Sequence, residues 1–287
     1  MSAAAVLAPR RRLVPYLLLL PGMLWLAVFF VLPLLTLATT SLQEGSISQG
    51  FELTWRIANY SDAFVAYRDQ LVRSFRYAAV ATVLALAISY PLAYAIAFRA
   101  GRWRNLMLLL IVAPFFTSFL VRTLAWKIIL ADNGGVVSFL RTIGILGSDG
   151  RVLATSIAVV AGLTYNFLPF MTLPIYASLE RLDPRLIEAA QDLYANPVTA
   201  FLRVTFPLSL PGVVGGTLLT FIPAAGDFIN VRFLGTPAQS MVGNVIESRF
   251  LVALDYPTAA ALSLTLMLAI LLLVTTYVRR VGTDELL

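Results

Sequence analysis

Cysteine and histidine are both absent from the sequence. Without them there is no disulfide, no Cys/His zinc site, no haem held by histidine, and no Ser-His or Cys-His nucleophile pair. Charge is scarce as well. Asp, Glu, Lys and Arg make up 13% of the residues, against about a quarter in an average soluble domain. There is no GxxxxGK[ST] phosphate loop and no GxGxxG after a strand, so no nucleotide fingerprint stands in this chain. No internal repeat is evident. The acids are scattered along the sequence, and no cluster of them suggests a catalytic metal or any other catalytic constellation.

What is abundant is apolar sequence, at 59% of 287 residues. Apolar runs of 18 residues or more recur, which assigns the chain to the all-α polytopic membrane proteins. Six spans are expected, at about 14–40, 75–98, 105–130, 152–176, 206–230 and 258–279. The first is too long for the h-region of a secretory signal, roughly 7–15 residues, and reads as a retained span. Prolines interrupt the first, third, fourth and fifth: Pro21 and Pro33, Pro114, Pro169 and Pro174, and Pro207, Pro211 and Pro223. Prolines persist in membrane helices where neighbouring helices or water satisfy the freed carbonyls, so a bent bundle is expected. Residues 41–72 are the longest loop and are expected to be external.

The net charge of +6 bears on loop placement rather than on nucleic acid. With the N-terminus in the cytoplasm, eleven arginines fall on the cytoplasmic side: Arg10–Arg12, Arg99, Arg102, Arg104, Arg181, Arg185, Arg203, Arg279 and Arg280. Seven fall on the other: Arg56, Arg68, Arg73, Arg76, Arg141, Arg151 and Arg249. The bias favours both termini inside.

One polar stretch interrupts this pattern, EAAQDLYANPVTAFLRVTFPLSLPG over 188–212. Asp183-Pro184 and Asn196-Pro197 each give an N-cap followed by proline at the first helical position. They predict a short helix, a turn and a second helix running into the fifth span. Ala189 and Ala190 are small enough for a partner's backbone to approach. Two readings fit, an ordinary interfacial loop and a protein-docking element.

The stretch resembles the EAA loop of ABC-importer permeases. Glu188-Ala189-Ala190 opens it, and Leu208 and Leu210-Pro211 close it; Asp192 lies between. Tyr194 stands where the family has glycine, so either Tyr194 takes a left-handed conformation or Asn196 takes over the bend. Two further stretches, LLIVAPFFTSFLVRTLAWKIIL (109–130) and FIPAAGDFINVRFLGTPAQSMVGNVIESRFL (221–251) with DYPTAAALS (255–263), resemble the spermidine/putrescine-type permeases of binding-protein-dependent transport systems.

The resemblance implies a type I ABC-importer permease fold. A single permease domain would cover 1–287, with a cytoplasmic coupling loop at 177–205 whose Glu188, Ala189, Ala190, Asp192 and Tyr194 face an ATPase. It further implies a bacterial inner-membrane location, a second homologous permease in a heterodimer, two ATPase subunits and an extracytoplasmic binding protein. ATP and magnesium would be bound by the ATPase, with no cofactor in this chain. The cargo would be a polyamine, or another small solute of the same family such as an opine, an amino-acid-like compound or an anion. An integral-membrane enzyme and a non-transporting scaffold are the readings from other classes.

Ionisable residues within spans mark functional positions by default. Asp227, after Pro223 and Gly226, supplies the one deep negative charge. It suits either an ammonium cargo or a structural ion pair with Arg122 or Arg232. Phe115, Phe116, Phe119, Trp126 and Tyr165 offer aromatic faces for a cation, or simple helix packing. Asn166 places an amide mid-span, either to bridge helices or to line a cavity. Arg122 and Lys127 suit an anion path, snorkelling or pairing, with Asp132 near enough in sequence to partner Lys127.

Overall fold

The computed structural model describes residues 10–281, Ser148 excepted, with the side chains of residues 10–15 and 281 left out of the description. The side chains of Arg10–Arg12, which contribute to the arginine bias, therefore lie outside the described residues.

In chain order the elements are α1 (Arg10–Leu26), a π-helical turn at Ala27–Val31, α2 (Leu32–Thr40), strands β1 (Gln43–Ser46) and β2 (Gly50–Leu53), and α3 (Ala58–Phe98). Helices α4 (Arg104–Val112), α5 (Phe119–Ile129), α6 (Gly135–Thr142), α7 (Ser156–Glu180), α8 (Pro184–Asp192) and α9 (Pro197–Ala200) follow. The last are α10 (Phe206–Ala225), α11 (Ile229–Leu234), α12 (Val242–Leu251) and α13 (Tyr256–Val281). Among the described residues five helical stretches are long and apolar enough to cross a bilayer, or six if one bent pair counts as a span.

The chain divides into two compact units, one holding the residues up to Val65 with Arg249–Thr265, the other Ala66–Ser248 with the residues from Leu266 on. In the first, β1 and β2 pair antiparallel with Gln43 opposite Leu53. Asn59 Nδ2 donates to the Ser41 and Gln43 carbonyls at 3.0 and 2.8 Å. Phe51 lies against Tyr256, ring centroids 5.3 Å apart. Residues 41–72, expected as one loop, are thus a hairpin followed by the first turns of α3. That helix starts at Ala58 rather than near 75, because Asp62, Arg68 and Asp69 depress hydropathy without opposing helix formation.

The second unit is built around α7. One cluster joins Ala78 and Ala81 of α3, Val159, Leu163 and Phe167 of α7, Phe221 and Ala224 of α10, and Leu234 of α11. Another joins Tyr90 and Ile96 to Met171, Ile175, Leu179 and Val213. Since lipid and side chain are equally apolar, hydrogen bonds between helices add specificity. Tyr77 OH meets Ser156 Oγ at 2.6 Å, Tyr90 OH meets Ser209 Oγ at 2.7 Å, and Thr172 Oγ1 donates to Ser89 Oγ at 2.8 Å.

The third span, expected as one helix over 105–130, is instead bent by 98°. Pro114 disfavours helical geometry at Ala113 and has no N–H to continue the ladder. Residues Ala113–Phe116 tighten into a 3-10 turn. Thr117 then donates to the Pro114 carbonyl from both its backbone N, at 3.2 Å, and its hydroxyl, at 2.7 Å. Thr117 and Ser118 are extended, with ψ of 151° and 140°, and α5 starts in a new direction.

Candidate functional site

The fifth span ends at Ala225, and α11 restarts at Ile229 after three non-helical residues. Asp227 lies in that break and is only 7% exposed. Its Oδ1 accepts the backbone N–H of Asn230 at 2.8 Å, and its Oδ2 accepts from Asn230 Nδ2 at 3.1 Å. The carboxylate therefore sits at the start of α11, where a side-chain acceptor and a negative charge are both favoured. The break is tight: a Cβ on Gly243 would come within 2.6 Å of the Gly226 carbonyl oxygen and 3.0 Å of that of Asp227. Asn244 Nδ2 also donates to the Phe228 carbonyl at 2.7 Å.

A buried chain of amides leads away from Asp227. Asn230 Oδ1 accepts from Asn166 Nδ2 at 3.0 Å, and the same Nδ2 reaches Thr123 Oγ1 at 3.4 Å. Four residues from four segments are thereby joined: Asp227 at the break, Asn230 on α11, Asn166 on α7 and Thr123 on α5. Asn166 Oδ1 is buried without a donor. Asn166 bridges helices, one of its two expected roles. Asn230 and Thr123 were not singled out in the sequence; the signal for Asn230 was an amide three residues beyond an aspartate, the spacing of a capping interaction.

Neither expected ion pair of Asp227 is formed, and among the described residues it has no cationic partner. Arg232 pairs with Glu247 on α12. Arg122 is 9% exposed, with its guanidinium carbon 4.4 Å from the Phe115 ring centroid and 5.6 Å from that of Phe119. Its Nε and Nη1 are buried without acceptors. Lys127 is exposed. Asp132 does not serve Lys127; it pairs with Arg151 at 2.8 Å, and this hydrogen bond holds the Asp132 carboxyl below the usual carboxylate range. Residues 127 and 132 fall on opposite sides of the α5 terminus at Ile129, so nearness in sequence does not bring them together.

The expected aromatic residues divide into three groups. Phe115 and Phe119 flank Arg122. Trp126 and Tyr165 meet edge to face, centroids 5.2 Å apart. Phe116 is 83% exposed and makes no ring contact among the described residues.

The second candidate surface is α8. Asp183 accepts the Arg185 N–H at 3.0 Å, and Asn196 accepts that of Thr199 at 2.8 Å, so both predicted caps form. Tyr194 has φ of 61°. Ala195 N donates to the Ala190 carbonyl at 3.0 Å and Tyr194 N to that of Gln191 at 2.9 Å. These two bonds are the Schellman pair, with tyrosine in the left-handed position that glycine favours. Of the two alternatives for the bend, Tyr194 takes it. Glu188, Ala189, Asp192 and Tyr194 are exposed and Ala190 half-buried; Tyr194 is 99% exposed.

Residues 89–281 match the model of the family described as binding-protein-dependent transport system inner membrane component. The chain is 40% identical over 258 residues to the spermidine/putrescine transport system permease protein PotB of Haemophilus influenzae, covering 89% of this chain and 90% of that one. It is 36% identical over 256 residues to PotB of Escherichia coli, covering 89% and 93%. Among solved structures, a chain of a bacterial ABC transporter importing the acidic polysaccharide alginate matches with TM-score 0.65 at 20% identity, over 93% of this chain and 94% of that one. A chain of the MetNI methionine ABC transporter matches with TM-score 0.56 at 18% identity, over 75% and 95%. The fold is that of the ABC-importer permeases.

Proposed function

The chain belongs to the binding-protein-dependent transport system inner membrane components, and we propose that it forms half of the translocation pathway of an ATP-driven polyamine importer. The observation that carries the cargo class is Asp227, a buried carboxylate at a helix break with no cationic partner among the described residues. A polyamine's ammonium groups need carboxylates when they leave water. The relatives' names, spermidine/putrescine permeases, support the same class. Asp227 receives an ammonium group; Trp126, Tyr165, Phe115, Phe116 and Phe119 supply ring faces, and Asn166 fixes the helices around the break. This chain performs no catalysis. A second homologous permease completes the pathway, two ATPase subunits bind ATP and magnesium, and an extracytoplasmic binding protein delivers the cargo. The α8 loop, through Glu188, Ala189, Ala190, Asp192 and Tyr194, docks on the ATPase.

Asp227→Asn tests the cargo. Asparagine caps a helix about as well as aspartate, so the backbone bond at the start of α11 survives, while the charge and the acceptor for Asn230 Nδ2 are removed. A charge-assisted hydrogen bond contributes about 1.5–3 kcal/mol, so polyamine uptake should weaken roughly ten- to hundredfold with yield unchanged. Undiminished uptake by the variant would remove Asp227 from the pathway. A second reading, an anionic cargo of the same family, is favoured by the unpaired buried guanidinium of Arg122. Stimulation of the ATPase by polyamines against small anions separates the two.

A further inference from the structure

Arg122 and its two rings straddle the bend in the third span. Phe115 lies before the extended residues Thr117 and Ser118, whereas Phe119 and Arg122 lie after them. The guanidinium touches both rings, so one side chain staples the two limbs across the break. It does so on poor terms. A buried guanidinium ordinarily has carboxylate or carbonyl acceptors, yet among the described residues Arg122 has no ion pair, and two of its nitrogens lack any acceptor. Ring faces attract its charge but do not satisfy its N–H groups. A cation held chiefly by ring faces, with no carboxylate partner, exchanges more readily for another cation than one in an ion pair. An acceptor for the displaced group stands one residue along α5: Asn166, which hydrogen-bonds to Thr123, has a buried carbonyl oxygen with no donor.

We propose that Arg122 is a tethered cation that occupies the Phe115–Phe119 seat between transport events and that an ammonium group of the cargo displaces it. The proposal rests on the polyamine reading above. Occupancy by Arg122 keeps the seat closed to inorganic cations and holds the bend. Displacement by a cargo ammonium, with the guanidinium moving towards Asn166 Oδ1, releases the staple and couples cargo entry to the angle between the two limbs. Arg122 thereby acts as a specificity-determining residue, and Phe115 and Phe119 form a seat that is filled before the cargo arrives.

The test uses the assembled transporter, with its second permease and ATPase, in nanodiscs. ATP hydrolysis is measured without cargo and with spermidine, putrescine, potassium and a panel of small anions. Arg122→Gln should fold at least as well as the parent, because it removes a buried charge. It should raise the cargo-free rate about fivefold or more, a typical size for coupling between two states of a protein. Arg122→Lys should lie between, and Phe115→Leu should shift the rate the same way as Arg122→Gln but less. A well-folded Arg122→Gln complex with the parent's cargo-free rate overturns the proposal. So does loss of spermidine-stimulated hydrolysis in Arg122→Gln that Arg122→Lys restores in full, since the charge would then serve transport or assembly directly. The unmodified complex reports on the cargo class separately. If it responds to an anion and not to polyamines, the polyamine reading fails. If Arg122→Gln then also abolishes the anion response, Arg122 is the anion's ligand and the tethered-cation role fails with it.

Discussion

Tyr194 shows how a single side chain can sit against its backbone preference with no packing in its own chain to offset the strain. An L-residue in the left-handed helical region is disfavoured by roughly 1–2 kcal/mol, and glycine at the same place gives back about 0.5–1 kcal/mol through its greater freedom when unfolded. The Tyr194 ring is fully exposed, so no packing within the chain offsets the strain. Tyr194→Gly is therefore expected to stabilise the isolated subunit by about 0.5–1 kcal/mol, a rise of roughly 1–3 °C in melting midpoint in detergent. If the ring is a contact for the ATPase, the same change lowers cargo-stimulated hydrolysis in the assembled complex. A variant that melts lower than the parent would show that the Schellman turn depends on the tyrosine after all.

At the scale of elements, the parts legible in the sequence were those with strong local chemistry. Asp183-Pro184 and Asn196-Pro197 announced two helix starts, and both caps form. The apolar runs placed the fourth and sixth spans to within a few residues, and Gly226 marked the end of α10. The rest was hidden because it depends on contacts distant in sequence or on directions that hydropathy does not encode. The 98° bend keeps both limbs apolar, so no composition shift marks it. The amide chain from Asp227 to Thr123 spans more than a hundred residues, and the pairing of Asp132 with Arg151 crosses nineteen. The α8 helix has its own test. Glu188 is exposed on a nine-residue helix none of whose residues is buried among the described residues. Glu188→Arg reverses the charge without disturbing any internal contact. Insertion and yield should stay normal while ATP hydrolysis becomes uncoupled from uptake. Normal uptake by a well-expressed variant would count heavily against docking at this helix.

For the molecule as a whole, the deciding question is which side of the membrane α8 faces. The first span, Tyr16–Thr40, is apolar all round and, among the described residues, none of it is buried, so lipid or another subunit covers it and its packing gives no orientation. Orientation rests instead on charge. With six spans, eleven arginines are expected on the side that holds the α8 loop and seven on the opposite side, and a bias of this sign favours a cytoplasmic α8 loop. An outward-facing α8 would never meet an ATPase, so the docking proposal and the termini-inside topology stand or fall together. The lack of native cysteine makes the test clean, since every label reports an introduced site. Ser48 lies in the exposed turn between β1 and β2, and Gln191 is exposed near the end of α8. Ser48→Cys should react with a membrane-impermeant maleimide in cells whose inner membrane is intact, whereas Gln191→Cys should react only after that membrane is opened. The hairpin and α8 are separated by α3, the bent pair and α7. With the bent pair crossing as one span, three crossings intervene and the two sites must label from opposite faces. If both label from outside, the bent pair does not cross but re-enters on its own side, leaving two crossings between the sites. That result would place α8 outside and remove the ATPase from its reach.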